Sequence, residues 1–93
     1  MLISHRVEGT ALHVTLHHHL DITTRAAAAL AIADLVHTHR PHHVTVQAPA
    51  GDPTPATIST VLRAHHTCKA LGIPLELTGS TTAAQRLFAA NAG

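Results

Sequence analysis

Hydrophobic and polar positions alternate most regularly between Ala11 and His17. Leu12, Val14 and Leu16 fall on one side and His13, Thr15 and His17 on the other, the signature of a strand with one buried face. Leu2 to Val7 reads as a shorter strand, and Glu8-Gly9-Thr10 as the turn that makes the two a hairpin. The period then changes. Four consecutive alanines favour helix, and the spacing predicts one from Arg25 to His39, capped by Thr23 or Thr24 and ended by Pro41. On it Leu30, Ala33, Val36 and His37 share one side, with Ile32 and Leu35 flanking. His43 to Gln47 is a third strand, with Val44 and Val46 pointing together, and Ala48-Pro49-Ala50-Gly51 breaks it.

A second long helix begins near Thr54, a good N-cap, with Pro55 at the first helical position, where no N–H is needed. Ile58, Val61, Leu62, His65 and Cys68 recur at helical spacing, and Gly72 stops the helix in the left-handed conformation. Ile73 to Leu77 is the next strand, with Pro74 marking its start or an edge. Ser80 or Thr81 caps a final helix whose buried stripe is Ala84, Leu87 and Phe88, running out at Asn91. The expectation is a single α/β domain spanning 1–93, in the order β-β-α-β-α-β-α, with a mixed sheet whose parallel part is covered by helices.

Composition narrows the function classes. Phe88 is the only aromatic residue, which removes base-stacking surfaces for single strands. Six lysines and arginines stand against five acids, with no basic run, so there is no electrostatic footprint for nucleic acid or an anionic membrane. Cys68 is the sole cysteine, so no internal disulfide forms and a cytoplasmic setting is compatible. The first residues carry no signal-peptide pattern, and the apolar run from Ala26 to Ala33 is far too short to span a bilayer. A soluble cytoplasmic protein is expected.

The candidate chemistry sits between Gly51 and Gly72. A loop presents a helix N-terminus rich in hydroxyls, with Thr54, Thr57, Ser59 and Thr60. Such an end carries positive partial charge and free N–H groups, and it holds a phosphate or an acidic partner, or is simply capped and packed.

Leu62-Arg63-Ala64-His65-His66-Thr67-Cys68-Lys69-Ala70-Leu71-Gly72 resembles a helix of the STAS domains of bacterial anti-sigma-factor antagonists. Ile73-Pro74-Leu75-Glu76-Leu77-Thr78-Gly79 is similar to the strand that follows it there, and Ala84-Gln85-Arg86-Leu87-Phe88 to the final helix. Upstream, Leu12 to Leu16 and Leu20-Asp21 with the threonines resemble the family's strand, turn and first helix. The resemblance covers almost the whole chain. It implies a STAS-like fold and a non-catalytic protein without a cofactor. The implied function is to bind a kinase-fold anti-sigma factor, releasing a sigma factor and regulating transcription indirectly. The family's phosphorylated Asp-Ser-Ser-Gly motif is missing here. Counting back from Leu62 puts Thr54 on its aspartate, whereas counting forward from Val44-Thr45-Val46 puts Thr54 on the phosphorylated serine. Thr54 is therefore the acceptor candidate that the resemblance implies, with Thr57 second. The implied partner contacts are Asp21, Asp52, Thr54, Thr57, Ile58, Val61 and Leu62. Departures are visible: Pro55 removes an N–H, no acid immediately precedes Thr54, and His18 and His19 replace the glycine and acid of the upstream turn.

Eleven histidines supply the competing reading, a metal-responsive or metal-buffering domain on the same fold. Zinc, nickel and copper sites need three or four converging ligands. His37 and His39 face different sides of a helix, His65 and His66 are adjacent, and no His-Glu-x-x-His or Cys-x-x-Cys occurs, so the pattern names no metal site. His65, on the apolar stripe, reads as a hydrogen-bonded core residue. With five carboxylates and no spacing that sets a nucleophile beside an oriented base, no catalytic residue is assigned. A STAS scaffold subunit without a phosphoswitch is the third reading. A homodimer is compatible with all three.

Overall fold

The computed structural model describes residues 2–79 and 82–91, leaving aside the side chains of 83, 84, 87 and 91. It is an α/β fold of two layers. The elements run β1 (Ile3–Glu8), β2 (Ala11–Leu16), α1 (Arg25–His39), β3 (His43–Gln47), α2 (Pro55–Ala70), β4 (Leu75–Thr78) and α3 (Thr82–Asn91). The strands form one sheet in the order β1-β2-β3-β4. β1 and β2 are an antiparallel hairpin, and β2, β3 and β4 are mutually parallel. Leu12, Val14, Leu16, Val44, Val46 and Leu77 of the sheet share one core with Ile32 and Val36 of α1, Val61, Ala64 and Cys68 of α2, and Phe88 of α3.

All three helices feed that single face. The opposite face consists of polar cross-strand rows. Arg6, His13, Thr45 and Glu76 form one row, and Ser4, Thr15, Gln47 and Thr78 the next. Parallel strands are usually buried on both sides; here they keep the in–out alternation of a half-exposed sheet.

α1 has the bounds that its alanine run predicts, but its buried stripe is rotated. Ala28, Ile32 and Val36 are buried, while Leu30 is 63% exposed and His37 faces solvent. A helix this rich in alanine has no dominant apolar direction, so the packing against α2 and the sheet selects the side. Thr24 is the N-cap residue, as expected, but its side chain makes no capping bond into the helix. It bonds back to Asp21 and closes the turn just before α1: Asp21 Oδ1 accepts the backbone N–H of Thr24 at 3.0 Å, and Thr24 Oγ1 accepts the backbone N–H of Asp21 at 3.0 Å. The exchange has the reciprocal form of a capping box. At the other end Arg40 takes φ 44°, a left-handed position at a non-glycine residue.

α2 ends as expected, and Gly72 has φ +73°. The N–H of Ile73 donates to Cys68 O at 2.8 Å and that of Gly72 to Lys69 O at 3.0 Å, a Schellman pair. That pair explains why β4 starts at Leu75 and not at Ile73. The Ile73 N–H is already spent on the helix, and Pro74 has none to give. Ser80 and Thr81, expected as caps of the last helix, and Ala84 and Leu87 of its stripe lie outside the described residues.

Candidate functional site

Thr54 caps α2. Its Oγ1 accepts the backbone N–H of Thr57 at 3.2 Å. The same hydroxyl donates to the carbonyl of Leu20 at 2.5 Å. Thr57 Oγ1 in turn accepts the backbone N–H of Leu20 at 2.8 Å, and the two threonine oxygens lie 3.0 Å apart. One proton arrangement satisfies all of this: Thr54 donates to Leu20, and Thr57 donates to Thr54. The start of α2 thus grips both polar groups of one peptide residue in the loop that leads into α1. Leu20 itself is fully buried, against Ala28 and Ala56. His19 reinforces the contact, its Nε2 lying 3.0 Å from Ala50 O.

This clamp changes what the helix end offers. Pro55 has no N–H, that of Thr57 goes to Thr54 Oγ1, and that of Ile58 goes to Thr54 O. Only the N–H of Ala56 remains in the first turn, on a residue 8% exposed. The cradle of free donors that a phosphate wants is largely filled by the chain's own atoms. Thr57 is 1% exposed. A phosphoryl group there would have to displace Leu20. Thr54 is half-buried, and its hydroxyl is engaged in both directions.

The other residues implied as partner contacts are placed unevenly. Val61 is completely buried and Ile58 nearly so, so Val61 presents no area to a partner. The physical reason is the phase of the helix: Thr57, Thr60, Val61, Ala64 and Cys68 form the inward stripe, with the threonines counted among the apolar positions. Leu62 is half-exposed and Asp52 is exposed in the preceding loop. Asp21 is exposed but occupied, accepting from the N–H and hydroxyl groups of both Thr23 and Thr24. These bonds, that of the Thr23 hydroxyl foremost, hold its carboxyl below the usual carboxylate range. Burial pushes the Cys68 thiol up, so it stays protonated and inert.

What is accessible is a groove along the outer side of α2, about 620 Å³, lined by Pro53, Pro55, Ile58, Leu62, Arg63 and His66 with Ser59. Its floor is apolar and its rim carries one guanidinium. Ile58 and Leu62 of this groove are among the partner contacts that the resemblance implies, whereas Pro53, Ser59, Arg63 and His66 were not singled out for it, because they lie off the apolar stripe or in the loop before the helix.

The histidines disperse. His13 and His43 stand on the open sheet face, near Glu8 (4.0 Å) and Glu76 (3.8 Å). His5 lies against His39, and His65 packs edge-on to Phe88 with ring centroids 5.7 Å apart. Among the described residues no three histidine, cysteine or acidic side chains converge on a point that would hold a metal. No described helix is long and apolar enough to cross a membrane.

Fold and site together define a small α/β protein with a two-layer architecture and a half-bare mixed sheet. In comparisons with known proteins, no family model and no curated protein matches the chain.

Proposed function

We propose that this chain is a STAS-like regulatory module that binds a kinase-fold anti-sigma factor and so alters transcription from the cytoplasm without catalysing a reaction. The observation that carries the reading is the groove on α2, apolar at Pro53, Pro55, Ile58 and Leu62 and edged by Arg63. It lies on the same helix turns that the sequence resemblance assigns to the partner. An exposed concave apolar strip with a charged rim is the kind of surface on which a protein partner anchors. In this reading docking does not depend on a phosphate. Thr54 is the best-placed hydroxyl, yet its bonds to Leu20 and Thr57 must break before a kinase could use it.

The test pairs the purified protein with a kinase-fold anti-sigma factor encoded in the same genome, read by calorimetry. Leu62→Asp places a charge in the groove and should weaken binding by about a hundredfold. Because Leu62 also packs against the core, the variant's melting temperature should fall, and binding is compared well below that temperature, where circular dichroism shows the variant folded. Incubation with the same partner, ATP and magnesium should leave Thr54 unlabelled. Equal binding by wild type and Leu62→Asp, or no binding at all, removes the reading.

A further inference from the structure

The two edges of the sheet are treated differently. β4 is four residues long, begins just after Pro74, and has Leu77 O taken by the side-chain amide of Gln85 from α3 at 2.7 Å. A short strand, a proline and a covering side chain are the usual protections of an edge. Among the described residues, β1 has none of these three. It is six residues long, contains no proline, and pairs with β2 on one side while no other described strand pairs with its second side.

The direction of its backbone groups follows from the ladder. The N–H of His17 donates to Leu2 O, so Leu2 and His17 are a hydrogen-bonded pair. Such pairs alternate along an antiparallel ladder. Ser4, Arg6 and Glu8 therefore bond inward to β2, and Ile3, His5 and Val7 turn their N–H and C=O groups outward. The side chains of those same residues are paired in register with Leu16, Val14 and Leu12, on the helix-covered face. Val7 is nevertheless 45% exposed, one of the few large apolar side chains left so among the described residues.

We infer that β1 is a dimerisation edge, and that its occupant is a second copy of this chain. The copies pair antiparallel about a twofold axis at His5. That register sets Ile3 opposite Val7 of the second copy, and His5 opposite its equivalent. It engages every outward group of Ile3, His5 and Val7, about six hydrogen bonds in all. Sliding by one pairing step in one direction sets Arg6 against Arg6, like charges face to face. Sliding twice sets Arg6 against Glu8 but keeps only the bonds around Val7, and Arg6 already has Glu8 of its own chain at 2.7 Å. The self-complementary register covers the exposed Val7 with Ile3 and joins the two four-stranded sheets into one continuous sheet. Such a contact is isologous and closes on itself, so it gives a dimer and not a fibre.

The experiment uses sedimentation equilibrium from about 10 µM to about 1 mM, a range suited to a small interface. The wild-type mass should rise from 9.8 kDa toward twice that value. His5→Pro removes an outward N–H that the monomer does not use, so it should stay monomeric throughout with a melting temperature close to wild type. His5→Cys should form a disulfide-linked dimer on mild oxidation, because directly opposed residues of such a pair lie about 5.5 Å apart at Cα, within disulfide range. Val7→Cys should not, since Val7 lies opposite Ile3. Cys68 is buried and does not compete. A wild-type protein monomeric at all concentrations, including the case in which the edge serves a different protein, overturns the inference. So does a His5→Pro protein that dimerises normally, or cross-linking at Val7 in preference to His5.

Discussion

Replacing Thr57 by valine tests the clamp between α2 and the loop before α1. Valine matches threonine in shape, so no cavity opens and the helix phase is kept. What is lost is the oxygen that accepts the N–H of the fully buried Leu20. A buried donor left without an acceptor costs about 1–3 kcal/mol, and the bond from Thr57 to Thr54 disappears as well, so we expect a loss of about 2 kcal/mol. Thr54→Ala removes a cap, worth about 1 kcal/mol, and the bond to Leu20 O, worth about another. Both changes strip partners from the same peptide residue. Once one is made, the loop can lift and take up water, so the double variant should cost about 1 kcal/mol less than the sum. The chain has no tryptophan or tyrosine, so unfolding in urea is followed by circular dichroism of the helices. For a domain of this size m is roughly 1 kcal/mol/M, which turns the expected loss into a midpoint shift of about 2 M. Thr57→Ser keeps the oxygen and loses one methyl, about 0.8 kcal/mol. A serine variant as unstable as the valine variant, or a valine shift below about 0.5 M, would mean that the hydroxyl does not hold Leu20.

Other outcomes follow from particular residues. Arg40 holds φ 44° with its Nε 3.3 Å from His37 O, so Arg40→Gly relieves about 1–2 kcal/mol of left-handed strain, offset in part by a looser unfolded chain, and should raise the stability by about 0.5–1 kcal/mol in the same urea assay. Gly79 has φ +75°, and a Cβ there would stand 3.0 Å from the backbone oxygen of Ala48; Gly79→Ala should lower the stability by about 2 kcal/mol. The carboxyl of Asp21 is depressed on folding, so its contribution is present above the ordinary carboxylate pKa and is lost as pH falls through the lower folded value; melting curves from pH 5 down to pH 2 should converge for wild type and Asp21→Ala as the acid limb is crossed.

The local elements were legible where a single period dominates. Arg25–His39 and His43–Gln47 follow directly from an alanine run and a valine pair between breakers. Thr54 with Pro55 announced the start of α2 for the same reason, since capping chemistry is local. The candidate site was less legible because its decisive contacts join residues 34 and 37 positions apart. Thr57 stands in the sequence as a hydroxyl of the helix N-terminus and the second acceptor candidate, although its spacing to Val61, Ala64 and Cys68 places it on the buried stripe; a threonine is polar in a pattern and apolar once its oxygen is satisfied. Thr24 was legible as the cap position of α1, but the bonds of Asp21 to Thr23 and Thr24 were not, because three adjacent capping types compete and only the geometry shows which side chain accepts. The histidine clusters are runs along the chain, and the sheet and helices send neighbouring members of each run to different faces.

The grip of Thr54 and Thr57 on Leu20 has a mechanical consequence. Leu20 is followed at once by Asp21, which closes the turn leading into α1, so the beginnings of both long helices are tied to one short span of backbone. Prying on either helix start pulls on the other, and the pair should detach from the sheet together. In native-state hydrogen exchange the amides of Leu20, Thr24 and Thr57 should then report one shared opening energy, with a common dependence on denaturant.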